Sequence, residues 1–247
     1  MSEAGVPPGL QDHFSGLADD WADRYVTRDS FATRLSTLAG VLREHVQDDD
    51  LVLDFGSGAG VFSAVLSGYG GRVVSMDVNE AMLHASARNQ DQLAEIAAGV
   101  GAAYRPQRVS RVVARSTALR AASRFDIVVA IAVLEYVPDL DEVLAGLASS
   151  MRVGGTLLAT YPDQRSLVRR VERPVDVVAT TVGRRLGSRR LGGREYSELR
   201  PERVADLTTV LERAGLGLVA THKVPLGSRG VRRRLAPNRL WIARRMR

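Results

Sequence analysis

Asp54, Gly56, Gly58, Gly60 and Asp77 are the residues whose types and spacing point to chemistry. The first four lie in "LVLDFGSGAG" (51–60) and the last ends "RVVSMD" (72–77). Glycines at alternate positions after an apolar run suit a turn that lets a ligand approach the backbone. The helix that follows offers unpaired N–H groups and the positive end of its dipole. Asp54 would repel a phosphate held there. The dinucleotide spacing G-x-G-x-x-G also fails, because the sixth position is Val61 counted from Gly56 and Ser63 counted from Gly58. A ligand with an ammonium beside a carboxylate fits better: the carboxylate takes the helix start and the ammonium takes Asp54. Asp77 stands 17 residues after Gly60, where an acid can accept two hydrogen bonds from a ribose diol. A nucleoside joined to an amino acid, such as S-adenosylmethionine, meets the whole description.

The surrounding pattern predicts the elements that must position these groups. "FSGLADDWADRYV" places Phe14, Leu17, Trp21 and Tyr25 at helical spacing, and Asp29-Ser30 can cap a second helix running to about His45. Alternation then begins, with strands over 51–55, 72–77, 111–116, 125–133 and 154–161. Helices are expected over 60–69, 79–100, 139–152 and 200–216. "GLVATHKVPL" and "PNRLWIARRM" read as closing strands that form a hairpin. Strands alternating with helices predict an α/β fold: a doubly wound seven-stranded sheet, mostly parallel with a closing antiparallel strand. The expected organisation is one domain: helical cover 1–47, cofactor core 48–161, an inserted Arg-rich cap 162–197, and closing elements 198–247.

Composition narrows the chemistry. The 247 residues contain no cysteine, which excludes a thiolate nucleophile, thiolate metal ligation and disulfides. His13, His45, His84 and His222 are scattered, so no metal is expected. No apolar run is long enough to span a bilayer, and the N-terminus lacks the pattern of a signal peptide, so a cytoplasmic location is expected. The net charge of +6 is uneven: residues 1–164 carry −8 and residues 165–247 carry +14, almost entirely from arginine. Such a basic third raises an anionic substrate, a membrane surface or nucleic acid as partner.

The motifs together resemble class I S-adenosylmethionine-dependent methyltransferases. "VLDFGSGAG", "VVSMDVNEAML", "FDIVVAIAVLEYVPDLDEVL" and "RVGGTLLATYP" resemble that family's successive motifs, in order, across about residues 50–162. The flanks "HFSGLADDWADRY" and "REYSELRPERVADLTTVLERAGL" resemble the small-molecule subgroup that includes ubiquinone-biosynthesis O-methyltransferases. The resemblance implies that Asp54, Gly56 and Gly58 hold the methionine end and that Gly60 opens the helix. It implies Asp77 on the ribose, Val78 and Met82 flanking the adenine, Ala130 beside the sulfonium, and Tyr25 closing over the cofactor.

Two positions depart from the family. Arg115 in "VVARSTAL" stands where relatives carry an aspartate that reads the adenine amine, leaving Ser116, Thr117 or backbone for that contact. Tyr136 in "LEYV" stands where many relatives carry histidine, which speaks against a metal or histidine base there. Tyr136 and His13 are the candidates for catalysis; Tyr136, Tyr161, Arg184 and Arg185 are the candidates for acceptor binding.

The leading expectation is methyl transfer to an oxygen of a small-molecule acceptor that is anionic or lipid-bearing. An RNA methyltransferase using the basic third is the first alternative. Against it, the Asn/Asp-Pro-Pro-aromatic signature after the fourth strand is absent and no RNA-binding module is recognisable. A peripheral membrane methyltransferase is the second, although Pro174, Gly183 and Gly187 interrupt any long interfacial helix in the cap. A cofactor-binding fold without chemistry is the third.

Overall fold

The computed structural model describes residues 8–121, 124–162, 207–230 and 235–246. Three helices come first: α1 (Pro8–Ser15), α2 (Asp23–Thr27) and α3 (Asp29–His45). Then follow β1 (Leu51–Phe55), α4 (Val61–Gly68), β2 (Arg72–Asp77), α5 (Glu80–Arg88) and α6 (Gln90–Ala98). The next elements are β3 (Val109–Val113), β4 (Phe125–Ala130), α7 (Leu140–Ser150) and β5 (Met151–Pro162). A helix α8 (Leu207–Arg213) and the strands β6 (Leu216–Val224) and β7 (Asn238–Arg245) close the chain.

The seven strands form one sheet in the order β3-β2-β1-β4-β5-β7-β6. All pairs from β3 to β5 are parallel, and β7 runs antiparallel to both β5 and β6. This is the expected fold class, with β7 as the closing antiparallel strand. The strand order reverses between β1 and β4, and a crevice opens there beyond the carboxyl ends of both.

The period of two along each strand divides the core. Val52 of β1 and Ile127 and Val129 of β4 face one layer, with Leu38 and Leu42 of α3 and Val65 and Leu66 of α4. Leu53 and Phe55 of β1 and Val128 and Ala130 of β4 face the other, with Leu144 and Leu147 of α7 and Leu211 of α8. Asp54 follows the parity of Val52, so its carboxyl points into the layer of α3 and α4.

Several boundaries differ from the sequence expectation. The N-terminal face is broken into α1 and α2, because residues 16–22 form successive turns in which amides such as Leu17 and Trp21 bond three residues back. The expected helix 79–100 breaks at Asn89, which leaves helical geometry with ψ 39° and separates α5 from α6. The third strand lies at 109–113 rather than 111–116, because its partner β2 ends at Asp77 opposite Val113. β4 ends at Ala130, three residues early, because Ala132 takes a left-handed φ of 54° and turns its amide to Thr160 Oγ1 at 2.7 Å. Of the expected helix 200–216, the described part is Leu207–Arg213, stopped at Gly215 with φ 77°. The Arg-rich cap after Pro162, including Arg184 and Arg185, lies outside the described residues. Among the described residues, no helix is long and apolar enough to cross a membrane.

Candidate functional site

A cavity of about 540 Å³ opens at the crevice between β1 and β4. Its floor is the loop Gly56–Ala59, which leaves β1 and enters α4. Gly56 has φ 69°, and a Cβ there would stand 2.3 Å from Val133 Cγ2 in the turn after β4. Only glycine satisfies both the dihedral and the approach of these two strand ends. Gly58 also has positive φ, 53°.

Asp54 lines the cavity yet is 2% exposed. Ser63 Oγ on α4 donates to its Oδ2 at 2.6 Å. Burial is the main cause that pushes the Asp54 carboxyl up to about 7; the Ser63 hydrogen bond opposes the shift and the nearby Asp77 charge adds to it. A cation arriving here would restore the ionised form.

Asp77, half-buried at the end of β2, faces the same cavity. Its Oδ2 accepts the Gly58 amide at 2.8 Å and its Oδ1 accepts the Asn79 amide at 2.8 Å. Burial raises its pKa, and these backbone bonds pull it back. The Val78 amide also acts on this carboxylate, and of its roughly four acceptor sites one remains for a further donor. Val78 and Met82 line the wall beyond it, with Arg115, Ser116 and Thr117 from the turn after β3. Tyr136 and Val137 line it from the turn after β4.

The roof is aromatic. Tyr136 meets Phe14 of α1 edge to face at 5.7 Å, Phe14 meets Trp21 at 5.5 Å, and Trp21 meets Phe31 of α3 at 6.0 Å. Tyr25 of α2 continues the series to Phe31 at 5.1 Å and to Phe62 of α4 at 6.0 Å. Edge-to-face pairs of this kind add to the stabilisation that burial supplies. The Tyr25 hydroxyl is raised by burial, and the Arg34 guanidinium beside it pulls the other way.

Tyr25, Asp54, Gly56, Gly58, Asp77, Val78, Met82, Ser116, Thr117 and Tyr136 thus meet in one cavity. Four expected residues stand outside its lining. Gly60 is buried as the N-cap of α4, with φ 84°, where a Cβ would meet Ser86 Oγ at 2.1 Å. Its role is helix packing. Ala130 has the parity of Val128 and is fully buried in the α7 layer; the cavity is lined instead by Ile131, Ala132 and Val133. Tyr161 packs into that same layer at 6% exposure, and His13 stacks on the edge of Phe14.

The structure adds Arg34, a cavity residue that sequence patterning passes over. It lies between Phe31 and Leu35 on α3, a helix whose apolar face is what the pattern displays; a cation flanked by face positions was the available signal. Arg34 and Asp54 put opposite charges in the same cavity, and both act on Tyr25. Such a pair can hold a zwitterion, and Asp77 can hold a diol. Among the described residues, no three His, Asp or Glu side chains gather as a metal site.

Comparison with known proteins bears on the family and the fold. Residues 27–221 match a family model described as a methyltransferase domain. A ubiquinone biosynthesis O-methyltransferase from Methylobacterium sp. (strain 4-46) is 33% identical over 108 residues, 44% of this chain and 39% of the relative. Another from Azotobacter vinelandii is 31% identical over 143 residues, 58% of this chain and 57% of the relative. The chain thus spans about two-fifths to three-fifths of the length of these curated relatives. Among solved structures, magnesium protoporphyrin IX methyltransferase from Synechocystis with bound S-adenosylhomocysteine superposes with TM-score 0.65 at 19% identity, covering 96% of this chain and 97% of that one. A 1,6-didemethyltoxoflavin-N1-methyltransferase from Burkholderia thailandensis, with bound 1,6-didemethyltoxoflavin and S-adenosylhomocysteine, superposes with TM-score 0.61 at 19% identity, covering all of this chain and 93% of that one. These likenesses bear on the fold. The family model covers most of the chain, and the chain belongs to the methyltransferase-domain family.

Proposed function

We propose that the chain transfers a methyl group from S-adenosylmethionine to an oxygen of a small-molecule acceptor. One observation carries the cofactor assignment: Arg34, Asp54 and Asp77 share one cavity with the glycine loop. Arg34 and the loop amides would hold the carboxylate, Asp54 the ammonium and Asp77 the ribose diol. Val78, Met82, Ser116, Thr117 and Val137 would enclose the base. S-adenosylmethionine supplies the electrophilic methyl on its sulfonium. The acceptor oxygen would form the new C–O bond as the C–S bond breaks, its proton passing to solvent and S-adenosylhomocysteine leaving.

Displacement of this kind gains much of its rate from positioning, with effective molarities that reach roughly 10⁵ to 10⁸ M in well-oriented systems. The aromatic roof and the turn after β4 serve that purpose by excluding water and bounding the space beside the loop. Tyr136 is the candidate on the wall for contact with the acceptor. The oxygen assignment is supported by the curated relatives, which are named as O-methyltransferases. The Arg-rich segment 162–197 and the +14 balance of residues 165–247 favour an anionic or lipid-bearing acceptor, with peripheral membrane contact as a corollary.

Calorimetric titration with S-adenosylhomocysteine, with NAD as control, tests the cofactor assignment. Micromolar binding of the former alone is expected; binding of NAD, or no heat from a folded sample, overturns it. Replacing Arg184, Arg185, Arg189 and Arg190 by Gln is expected to reduce acceptor turnover and spare S-adenosylhomocysteine affinity. The opposite result would assign that segment to the cofactor.

A further inference from the structure

The β2–α5 turn carries a second structural role besides the ribose acid. Asn79, 7% exposed, uses every polar atom of its side chain. Its Oδ1 accepts the Met82 amide at 3.2 Å, which caps α5. Its Nδ2 donates to the backbone carbonyl of Gln11 at 3.0 Å and to Ser15 Oγ at 3.0 Å, which ties α1 to the turn. Ser15 Oγ lies 3.4 Å from Asn79 Oδ1, closing the cluster. The Asn79 backbone amide meanwhile donates to Asp77 Oδ1. One residue therefore joins the acid that faces the cavity to the helix that covers it, since Gln11 and Phe14 of α1 line the roof.

The other polar tethers that join this cover to α5 and α6, from Arg88 and Asn89 to Asp19 and from Gln92 to Asp23, are all exposed. Arg88 pairs with Asp19, with side chains 57% and 75% exposed. Exposed pairs contribute little in water. The apolar contact of Phe14 and Trp21 with Met82 and Ala85 has no directional preference. The Asn79 clasp is buried and directional, and it sits nearest the cavity.

We propose that Asn79 is a positioning residue that couples cofactor occupancy to the docking of α1. This inference rests on the assignment of the cavity to S-adenosylmethionine. A diol on Asp77 holds its carboxylate ionised, which strengthens the Asn79 N–H bond and keeps the 77–79 turn where its amide meets α1. Docked α1 in turn slows escape of the ligand, and the coupling is reciprocal.

Asn79→Ser separates the two roles. A serine hydroxyl still caps α5 but offers no amide donor to Gln11 and Ser15. Loss of two neutral hydrogen bonds predicts about tenfold faster release of S-adenosylhomocysteine in stopped-flow. KM for S-adenosylmethionine should rise by a similar factor while kcat holds. Ser15→Ala, which removes the Ser15 hydroxyl from its contacts with Asn79 and leaves the Gln11 bond, should release about threefold faster. Asn79→Ala should additionally lower the melting temperature.

A wild-type release rate in Asn79→Ser, with a lowered melting temperature only in Asn79→Ala, would reduce Asn79 to a helix cap and overturn the coupling. Should the variants fail to fold, hydrogen exchange on the wild-type chain decides: S-adenosylhomocysteine must slow exchange in residues 8–18, and unchanged exchange overturns the proposal. Failure of the wild-type chain to bind S-adenosylhomocysteine overturns the cofactor assignment as well, which keeps the two failures apart.

Discussion

The Gly58 amide donates to Asp77 Oδ2 at 2.8 Å, so the glycine loop and the acid of the neighbouring strand are one hydrogen-bonded unit before any ligand contacts them. A parallel β1–β2 register that pairs Phe55 with Met76 brings the two strand ends level, and this bond fixes the loop against the acid. Asp77 therefore both orders the floor of the cavity and remains available to a ligand.

Asp77→Asn should weaken S-adenosylhomocysteine binding by about 1.5–3 kcal/mol, the scale of hydrogen bonds to a charged group. The amide also presents N–H toward one of the backbone donors, so the Gly56–Ala59 loop should loosen. Calorimetry reads the first effect and amide exchange at Gly58 reads the second. Wild-type affinity would remove Asp77 from the ribose site.

The sequence exposed the parallel sheet because short apolar-rich runs such as β1 and β4 alternate with helical periods; β3, a mixed VSRVV, was placed two residues late. It exposed Asp54 because an acid interrupts the end of an apolar run just ahead of a glycine loop, and Asp77 because an acid ends the neighbouring strand. Arg34 was signalled only by its place between face positions, since its entry into the cavity depends on α3 packing against α2 and α4, a contact between elements and not a local spacing. Ala130 was misplaced because parity along β4 sends it into the α7 layer, and the irregular turn that follows supplies the wall. Gly60 opens α4 as its motif implied, outside the cavity lining, and what holds it as glycine is its left-handed φ and Ser86 on α5. The break between α1 and α2 came from i−3 turns that apolar spacing does not register.

Arg34→Gln tests the zwitterion pair. It should weaken S-adenosylhomocysteine by about 1.5–3 kcal/mol, the range for a charge-assisted hydrogen bond. It should leave 5′-methylthioadenosine, which lacks the amino-acid end, at wild-type affinity. Equal loss for both ligands would place Arg34 in the structure of the roof and not on the carboxylate.

Gly56→Ala should be strongly destabilising. A left-handed φ costs a residue with Cβ roughly 1–2 kcal/mol, and overpacking adds about 1–3 kcal/mol. Val133 is branched at the contacted carbon and cannot swing its methyls clear. Val133→Ala in the same chain should recover part of the loss, and denaturant titration of the single and double variants reads it. No recovery would show that the cost lies in the dihedral alone.

The raised pKa of Asp54 sets a pH dependence whose sign can be worked out. In the free protein the carboxyl titrates near 7, above its ordinary value of 3.8, so between those values the folded state holds a proton that the unfolded state does not. Stability of the free protein therefore falls as pH rises through that window. Ligand binding runs the other way, because an ammonium needs the ionised acid. Affinity for S-adenosylhomocysteine should be level just above pH 7 and approach a tenfold loss per unit below it, with proton release on binding near pH 6 visible as a buffer-dependent enthalpy. Asp54→Asn should remove both trends, since an amide of the same shape neither titrates nor needs a cation. At pH 8 that variant should melt higher than wild type while binding S-adenosylhomocysteine at least tenfold more weakly; at pH 5 its melting temperature should approach the wild-type value. A pH-independent affinity in the wild-type chain would mean that the ammonium does not rest on Asp54.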